Sequence, residues 1–499
     1  MNISLDEGTF VPSLSAIEGD HFIGGQWVRT DSSDAFAVVN PYDQSTLKTL
    51  HNADDATVEL AYQAARRAQH SWANTPPTER SRILFRIADL LRKHNEILSQ
   101  IEAQNTGKPI QETRVADAAS GADCFEFFAS VAGSIRGESC QVDGNLIYTQ
   151  RQPLGVCAAI GAWNYPIQIA CWKAAPALAA GNALIFKPSE ITPLTALLLA
   201  KLMQIAGLPD GLFNVLTGDG TIGKALAEHP HIDKISLTGS VPTGQKVMQG
   251  AAANLKSISL ELGGKSPLIV CDDADLDSAV NAAMLANFYS NGQICSNGTR
   301  VFVQRGIYER FIEKLLATTQ RIKLGNPLED DTQMGPIISA KQASSISAMI
   351  QTGIDDGARL LCGGPDIERG ASGQAHFIAP TIFTDVEDSM RIATDEIFGP
   401  VMSVLPFDDD NEVIERANQL PFGLAASVFS SNLGRAHQIV QQLDAGTCWI
   451  NQYNLTPIEM PFGGVKQSGI GRENGLAALE AYTEIKSVYV NTGKVDTVY

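Results

Sequence analysis

Residues Leu154 to Ser189 read LGVCAAIGAWNYPIQIACWKAAPALAAGNALIFKPS, and their pattern decides the fold. Gly155 to Ile160 and Ala183 to Lys187 are short apolar runs without alternation, the mark of strands buried on both faces. Between them Gln168 to Ala180 reads as a helix. The alternation continues with a helix at Pro193 to Ala206, a strand at Phe213 to Leu216, a helix at Ile222 to Glu228 and a strand at Lys234 to Leu237. It resumes after Cys295. Strands are predicted at Arg300 to Gln304, Arg359 to Leu361, Val401 to Phe407, Ala426 to Phe429 and Thr447 to Asn451, with helices at Tyr308 to Gln320, Ala340 to Asp356, Asn411 to Asn418 and Leu433 to Gln442. Strand and helix in turn require doubly wound parallel sheets. The fold class is therefore α/β, with two such domains meeting near Glu261 and a cleft between them.

The preceding chain is simpler. Residues 1 to 20 read as an extended arm, Phe22 to Arg29 and Phe36 to Val39 as short strands, and Asp54 to Gln69 as a helix that Asp54 or Asp55 can cap. Helical spacing runs from Thr78 to Asn105 and again from Ile110 to about Ile135, where Asp117 and Asp123 face either solvent or a substrate entrance. Glu138 to Gln152 alternates around Asp143-Gly144-Asn145, a hairpin signal. Such a hairpin cannot easily join a parallel sheet and is expected to protrude.

At 499 residues the chain is too long for one core. A net charge of −18 with no Lys/Arg cluster argues against nucleic acid. No apolar run reaches the roughly 18 residues needed to cross a bilayer, and MNISLDEGTF lacks the basic head and apolar body of a secretory signal. Eight cysteines without a CxxC pair read as reduced thiols in a cytoplasmic protein. No histidine spacing suggests a metal.

One thiol has an unusual setting. Cys124, Cys157, Cys171, Cys271 and Cys448 lie among apolar or small neighbours. Cys295 stands in NGQICSNG, between Gly292 and Gly298, a loop able to present sulfur to a cleft. It is a candidate nucleophile, provided a neighbour lowers its pKa or takes its proton. Glu261, in SISLELGGKSPLIV, lies between Leu260 and Leu262. It is either a general base whose pKa is raised by burial or a solvated edge-strand acid. A literal GxGxxG at Gly218 to Gly223 lacks the acid expected about twenty residues later. It reads as a βα turn that touches a cofactor at Gly220. Lys187 and Glu190, at a strand's carboxyl end, are either cofactor anchors or an exposed ion pair. Gly239, Ser240 and Gly244 would let backbone N–H groups approach a pyrophosphate. Asn164 is either an oxyanion donor or a turn cap before Pro166.

LELGGKSP, the cysteine in GQIC, EIFGPV (Glu396 to Val401) and PFGGVKQSGIGRE (Pro461 to Glu473) together resemble the NAD(P)-dependent aldehyde dehydrogenase superfamily, over about Gly24 to Val490. GAWNYPIQIACWKAAPALAAGN, CSNGTRVFV and YNLTPIEMPFGG are most similar to its betaine aldehyde and trimethylaminobutyraldehyde branch.

The resemblance implies a Rossmann-like cofactor domain (1–136 and 153–260), a catalytic domain (261–467), and a hairpin with a C-terminal strand (137–152 and 485–499) that joins subunits into a dimer or tetramer. It implies NAD as cofactor, held by Ala162, Trp163, Lys187, Glu190, Gly220, Gly239, Ser240, Gly244, Glu396 and Phe398. Glu190 would hold ribose hydroxyls and repel a 2′-phosphate. Cys295 would attack the aldehyde, the thiohemiacetal would pass hydride to nicotinamide, and Glu261 would activate water against the thioester. Asn164 would bind the oxyanion, and Lys173 and Glu473 would relay protons. Tyr165, Trp172 and Tyr453, with Asp117 or Glu102 adding charge, would box a quaternary ammonium, although aromatics at such spacings also fill cores. The alternatives are a semialdehyde or general aliphatic aldehyde dehydrogenase, or a non-catalytic protein on the same fold.

Overall fold

The computed structural model describes residues 10–30 and 34–499. The start of the arm expected at residues 1–20, and the signal-peptide question attached to MNISLDEGTF, lie outside the described residues. Leu14–Ala16 forms a single 3-10 turn.

The first sheet has eight strands in the order Gln26–Val28, His21–Ile23, Phe213–Val215, Ala183–Lys187, Val156–Ile160, Lys234–Thr238, Ser257–Glu261 and Gly469–Ile470. The five central strands are parallel, and the outer ones pair antiparallel. Chain order reverses between Val156–Ile160 and Lys234–Thr238. Such a switch point opens a crevice at the carboxyl ends of both strands, the place where open α/β sheets take ligands. Gly161 to Asn164 leave one of these ends and Gly239-Ser240 the other.

The second sheet runs Arg359–Cys362, Thr381–Thr384, Val401–Phe407, Arg300–Gln304, Pro267–Val270, Ala425–Phe429 and Thr447–Ile450, parallel except at its Arg359–Cys362 edge. Alternate residues of one strand serve opposite cores. Phe302 packs with Ile269 and Leu405, while Val301 and Val303 pack with Leu268 and Val404. That is the pleat of a sheet covered on both faces.

A third sheet joins Ser139–Val142, Asn145–Pro153 and Thr483–Val490, antiparallel throughout. Val142, Leu146, Ile485 and Tyr489 are exposed on it.

Three departures from the sequence reading have local causes. The helix expected from Ile110 breaks at Asp117 (φ −98°, ψ −90°), whose carboxylate turns inward to Lys108. The helix from Thr78 divides at His94 into Pro77–Lys93 and Asn95–Thr106. Gly469–Ile470 returns from the second lobe to pair with Leu260 and Glu261, a two-residue contact too short for periodicity to reveal. Asp54 caps the helix Asp55–Ala73 by accepting the Thr57 N–H at 2.8 Å.

Among the described residues no helix is long and apolar enough to cross a membrane, and no cluster of His, Cys, Asp or Glu could hold a metal.

Candidate active site

A cavity of about 820 Å³ is walled by both lobes, and Asn164, Trp172, Glu261, Cys295 and Glu473 all line it. Cys295 follows a tight turn in which Ser290 (φ 51°) and Asn291 (φ 57°) are left-handed. That conformation is costly without a reason. Here the Ser290 N–H donates to buried Glu112 at 2.8 Å, and Asn291 Nδ2 donates to the Gly107 and Pro336 carbonyls, each at 3.1 Å. Gly292 (φ 73°) is obligatory, since a Cβ there would lie 2.3 Å from the Gly399 carbonyl carbon. The polar residues around Cys295 therefore form a buried, hydrogen-bonded platform rather than a solvated loop. The cysteine itself stays part-exposed.

Sequence reasoning required a neighbour that either lowers the Cys295 pKa or takes its proton, and the surroundings of the thiol do not lower it. Burial pushes the thiol up to about 12, with the charges of Glu396 and Glu261 adding to it, against hydrogen bonds from the Cys295 and Ser296 backbone. Its proton must be taken when the nucleophile forms.

Glu261 closes the strand Ser257–Glu261 and is 5 % exposed, which removes the solvated edge-strand reading. Neither carboxylate oxygen has a hydrogen-bond partner among the described residues. Burial first, then the charge of Glu473, raises its pKa well above the usual carboxylate range, while Lys173 and Arg472 oppose. Gly463 (φ 154°) makes room, because a Cβ there would sit 2.5 Å from Glu261 Oε1. Asn164 does not cap the helix that follows. Its Nδ2 donates to the Gln293 carbonyl at 2.9 Å, tying the first lobe to the nucleophile loop, and the second amide hydrogen remains for an oxyanion. Lys173 Nζ donates to Glu473 Oε1 at 2.7 Å, with both side chains buried.

The expected cofactor residues gather at the switch-point crevice. Trp163 and Phe398 meet edge to face at 5.1 Å. Lys187, 3 % exposed, reaches Glu190 at 3.3 Å, so the pair is only half an exposed salt bridge. Glu396 accepts the Gly264 N–H at 3.3 Å and is pushed up to about 7 by burial. A Cβ on Gly263 would fall 1.9 Å from its carboxylate, so these two glycines form a cradle for Glu396. Ala162 is part-exposed at the strand end. Ser240 caps the helix Val241–Ala252 without a side-chain bond, leaving first-turn N–H groups free. Two glycines differ from their expected use. Gly220 starts the helix Gly220–Glu228 facing open space, and Gly244 already donates to the Ser240 carbonyl while its bare Cα accommodates Leu262, whose Cδ1 would lie 2.7 Å from a Cβ. A dinucleotide fits this set: an aromatic pair, a buried acid able to accept ribose hydroxyls, and free amides at a helix start.

The substrate wall needs correction. Asp117 does not reach the cavity; it is fully buried, 2.5 Å from Lys108 Nζ. Glu102 is also buried, accepting the Ile167 N–H at 3.0 Å and the Thr195 hydroxyl at 2.8 Å. Tyr453 lines the cavity, although almost none of its surface is exposed. Its hydroxyl donates to the Ser296 carbonyl at 2.8 Å and its ring lies under Gly298, so it props the nucleophile loop. Tyr165 lines the cavity, but Lys108 Nζ stands 3.8 Å from its ring centroid and its hydroxyl bonds Ser290 at 2.6 Å. Trp172 keeps its place, edge to face with Phe462 at 6.0 Å. Phe462 was missed, although PFGG already carried it. Besides Glu261 and Glu473, the acids that reach the cavity are Asp123, Glu126 and Glu459. Arg92 pairs with Asp123 at 2.9 Å and also with Glu126.

Lys108 holds a cluster of three buried acids together, which makes a stability prediction. Burial raises Glu102, Asp117 and Glu112, the last to about 8, and Lys108 lowers all three. Lys108→Met is expected to cost about 3–5 kcal/mol in denaturant unfolding, the usual effect of stranding buried charge. Burial makes these acids hold protons more tightly in the native protein than in the unfolded chain. Their contribution therefore falls as pH rises from the unfolded carboxylate range to about 8, and the variant's deficit is expected to be smallest at the acid end.

Fold and cleft define a two-lobed α/β enzyme. Residues 27–488 match the aldehyde dehydrogenase family, and the chain belongs to that family. It is 55% identical over 482 residues to betaine aldehyde dehydrogenase of Brucella canis, covering 97% of this chain and 99% of the relative. Among solved structures it is similar to betaine aldehyde dehydrogenase from Staphylococcus aureus in complex with NAD+, with a TM-score of 0.94, 37% identity and 97% of each chain covered. It is also similar to a P. syringae indole-3-acetaldehyde dehydrogenase in complex with NAD+, with a TM-score of 0.93, 39% identity and coverage of 95% and 97%. The protein is an NAD-dependent aldehyde dehydrogenase, and the non-catalytic alternative is set aside.

Proposed function

We propose that this enzyme oxidises betaine aldehyde, or a closely related trimethylammonium aldehyde, to its acid with NAD in preference to NADP. The observation that carries the substrate reading is the cavity wall itself: the Trp172–Phe462 aromatic pair with Asp123, Glu126 and Glu459 on the same cavity. Aromatic faces and carboxylates suit a permanent cation and disfavour a substrate carboxylate. The Brucella relatives named betaine aldehyde dehydrogenase support the same choice. Glu190, beside Lys187, supports NAD because a 2′-phosphate would meet its charge.

In this reading the Cys295 thiol gives its proton to Glu261, which passes it on through Glu473 and Lys173, as Sγ attacks the aldehyde carbon and forms a thiohemiacetal. Asn164 Nδ2 and the Cys295 N–H hold the oxyanion. NAD, when bound, accepts the hydride. Glu261 then takes a proton from water as its oxygen bonds the resulting thioester, and Lys173 with Glu473 passes that proton on. Residues 1–136 and 153–260 bind cofactor, 261–467 carry the nucleophile, and 137–152 with 485–499 join copies of the chain in a cytoplasmic homo-oligomer.

The test compares betaine aldehyde with a neutral aldehyde of equal length and with succinic semialdehyde. Betaine aldehyde is expected to give the highest kcat/KM. Trp172→Ala is expected to lower that value about 10-fold more for the cation than for the neutral aldehyde. Equal losses, or a preference for the semialdehyde, would replace the reading with a general or semialdehyde enzyme.

A further inference from the structure

Beneath the Lys173–Glu473 pair lies a second buried ammonium that no step above uses. Lys234 opens the strand Lys234–Thr238, is 1 % exposed, and donates to Ser259 Oγ at 2.6 Å. Its Nζ stands 5.0 Å from the centroid of the Tyr482 ring. Residues 234 and 236 share one face of the strand. Ser236 Oγ accepts from Lys173 Nζ at 2.9 Å and donates to Glu473 Oε1 at 3.5 Å. Lys234 thus lies on the same strand face as the Ser236 that bonds Glu473.

Burying a lysine is costly unless negative charge compensates it. Around Lys234 stand Ser236 on its own strand, Ser259 on Ser257–Glu261, Cys157 on Val156–Ile160, Lys173 on the helix Pro166–Ala179, and Tyr482 and Glu473 from the C-terminal segment. Cys157 is pushed up to about 12 and Tyr482 well above its usual range, so both are neutral. Glu473, paired with Lys173 at 2.7 Å, is the acidic side chain that remains beside it. Burial brings Lys234 down to about 8, with Glu473 opposing, so it is mostly charged at neutral pH. Glu473 in turn raises the pKa of Glu261. The sequence Lys234, Glu473, Glu261 is an electrostatic chain that ends on the base.

We propose that Lys234 is a positioning residue for hydrolysis of the acyl-enzyme, its buried charge holding Glu473 as the carboxylate that receives the proton Glu261 takes from water. The water O–H bond breaks as its oxygen bonds the thioester carbon, and the C–S bond then breaks with its electron pair going to Cys295 sulfur. The proton passes from Glu261 to Glu473, whose two bonds both fall on Oε1 and leave Oε2 to accept it. The inference rests on Glu261 acting as base in the function proposed above.

The test measures the pH profile of the steady-state rate after the first-turnover NADH burst in full-length Lys234→Met and Lys234→Arg, beside Glu261→Gln. Lys234→Met is expected to move the ascending limb upward by about one pH unit, because removing the positive charge beside Glu473 makes the acceptor of the proton harder to ionise. The burst and both KM values should be unchanged, and Lys234→Arg should return the limb toward the native position. A folded Lys234→Met with an unmoved limb, or with a change in KM alone, overturns the proposal. Should Lys234→Met fail to fold, Ser236→Ala decides: a smaller shift in the same direction supports it and no shift overturns it. Native hydrolysis in Glu261→Gln would instead show that the parent assignment had failed.

Discussion

Cys295→Ala is expected to lower aldehyde oxidation by at least about four orders of magnitude, with NAD binding unchanged by calorimetry. The magnitude follows from the chemistry. An aldehyde carbon gives up hydride only after a nucleophile makes it tetrahedral, and removing a covalent nucleophile elsewhere costs kcat on that scale or more. Cofactor affinity should survive because the Trp163–Phe398 pair, Lys187 and Glu396 lie at the switch-point crevice and none is held by the Cys295 side chain. Alanine also suits the platform, whose bonds run through Ser290, Asn291, Gln293 and Asn297. NADH production within a factor of ten of native would end the covalent mechanism.

Glu261→Gln is expected to leave a burst of NADH near one equivalent per active site and then slow turnover by about 10²- to 10⁴-fold, as the thioester waits for water. Mass spectrometry of the quenched enzyme should find the acyl group on Cys295. The change should not harm the fold, since Glu261 is enclosed and neither of its carboxylate oxygens has a hydrogen-bond partner among the described residues. The sign of the pH effect follows. A base whose pKa is raised gains activity as pH climbs, so native hydrolysis should rise across the neutral and alkaline range while the residual rate of the glutamine variant stays flat. A variant that turns over steadily without a burst would assign the base elsewhere.

The chain order of strands and helices, and with it the two parallel sheets, was legible in Val156–Ile160, Ala183–Lys187 and their successors. A strand buried on both faces must be apolar throughout, and composition alone reports that. Cys295 and Glu261 were legible for the opposite reason: a polar loop around one thiol, and a lone acid between leucines, each break the local pattern. Helical spacing could not say what Asp117 faces. It assigns a residue to a side of its helix, while the partner that claims the carboxylate, Lys108, sits in the turn before that helix and meets it only because the helix breaks. Nor could spacing show what Tyr453 holds: it lines the cavity, and its ring is drawn under Gly298 by a carbonyl some 157 residues earlier in the chain.

The sequence alone determined that two layered α/β lobes form and which thiol and which acid stand apart, because burial on both faces and local polarity are written residue by residue. Tertiary structure alone decided which neighbours those groups meet. The return of Gly469–Ile470 onto Glu261, the Lys173–Glu473 pair and the acids at the cavity join residues hundreds of positions apart, and their effects depend on distance through space and on exclusion of water, neither of which order along a chain records.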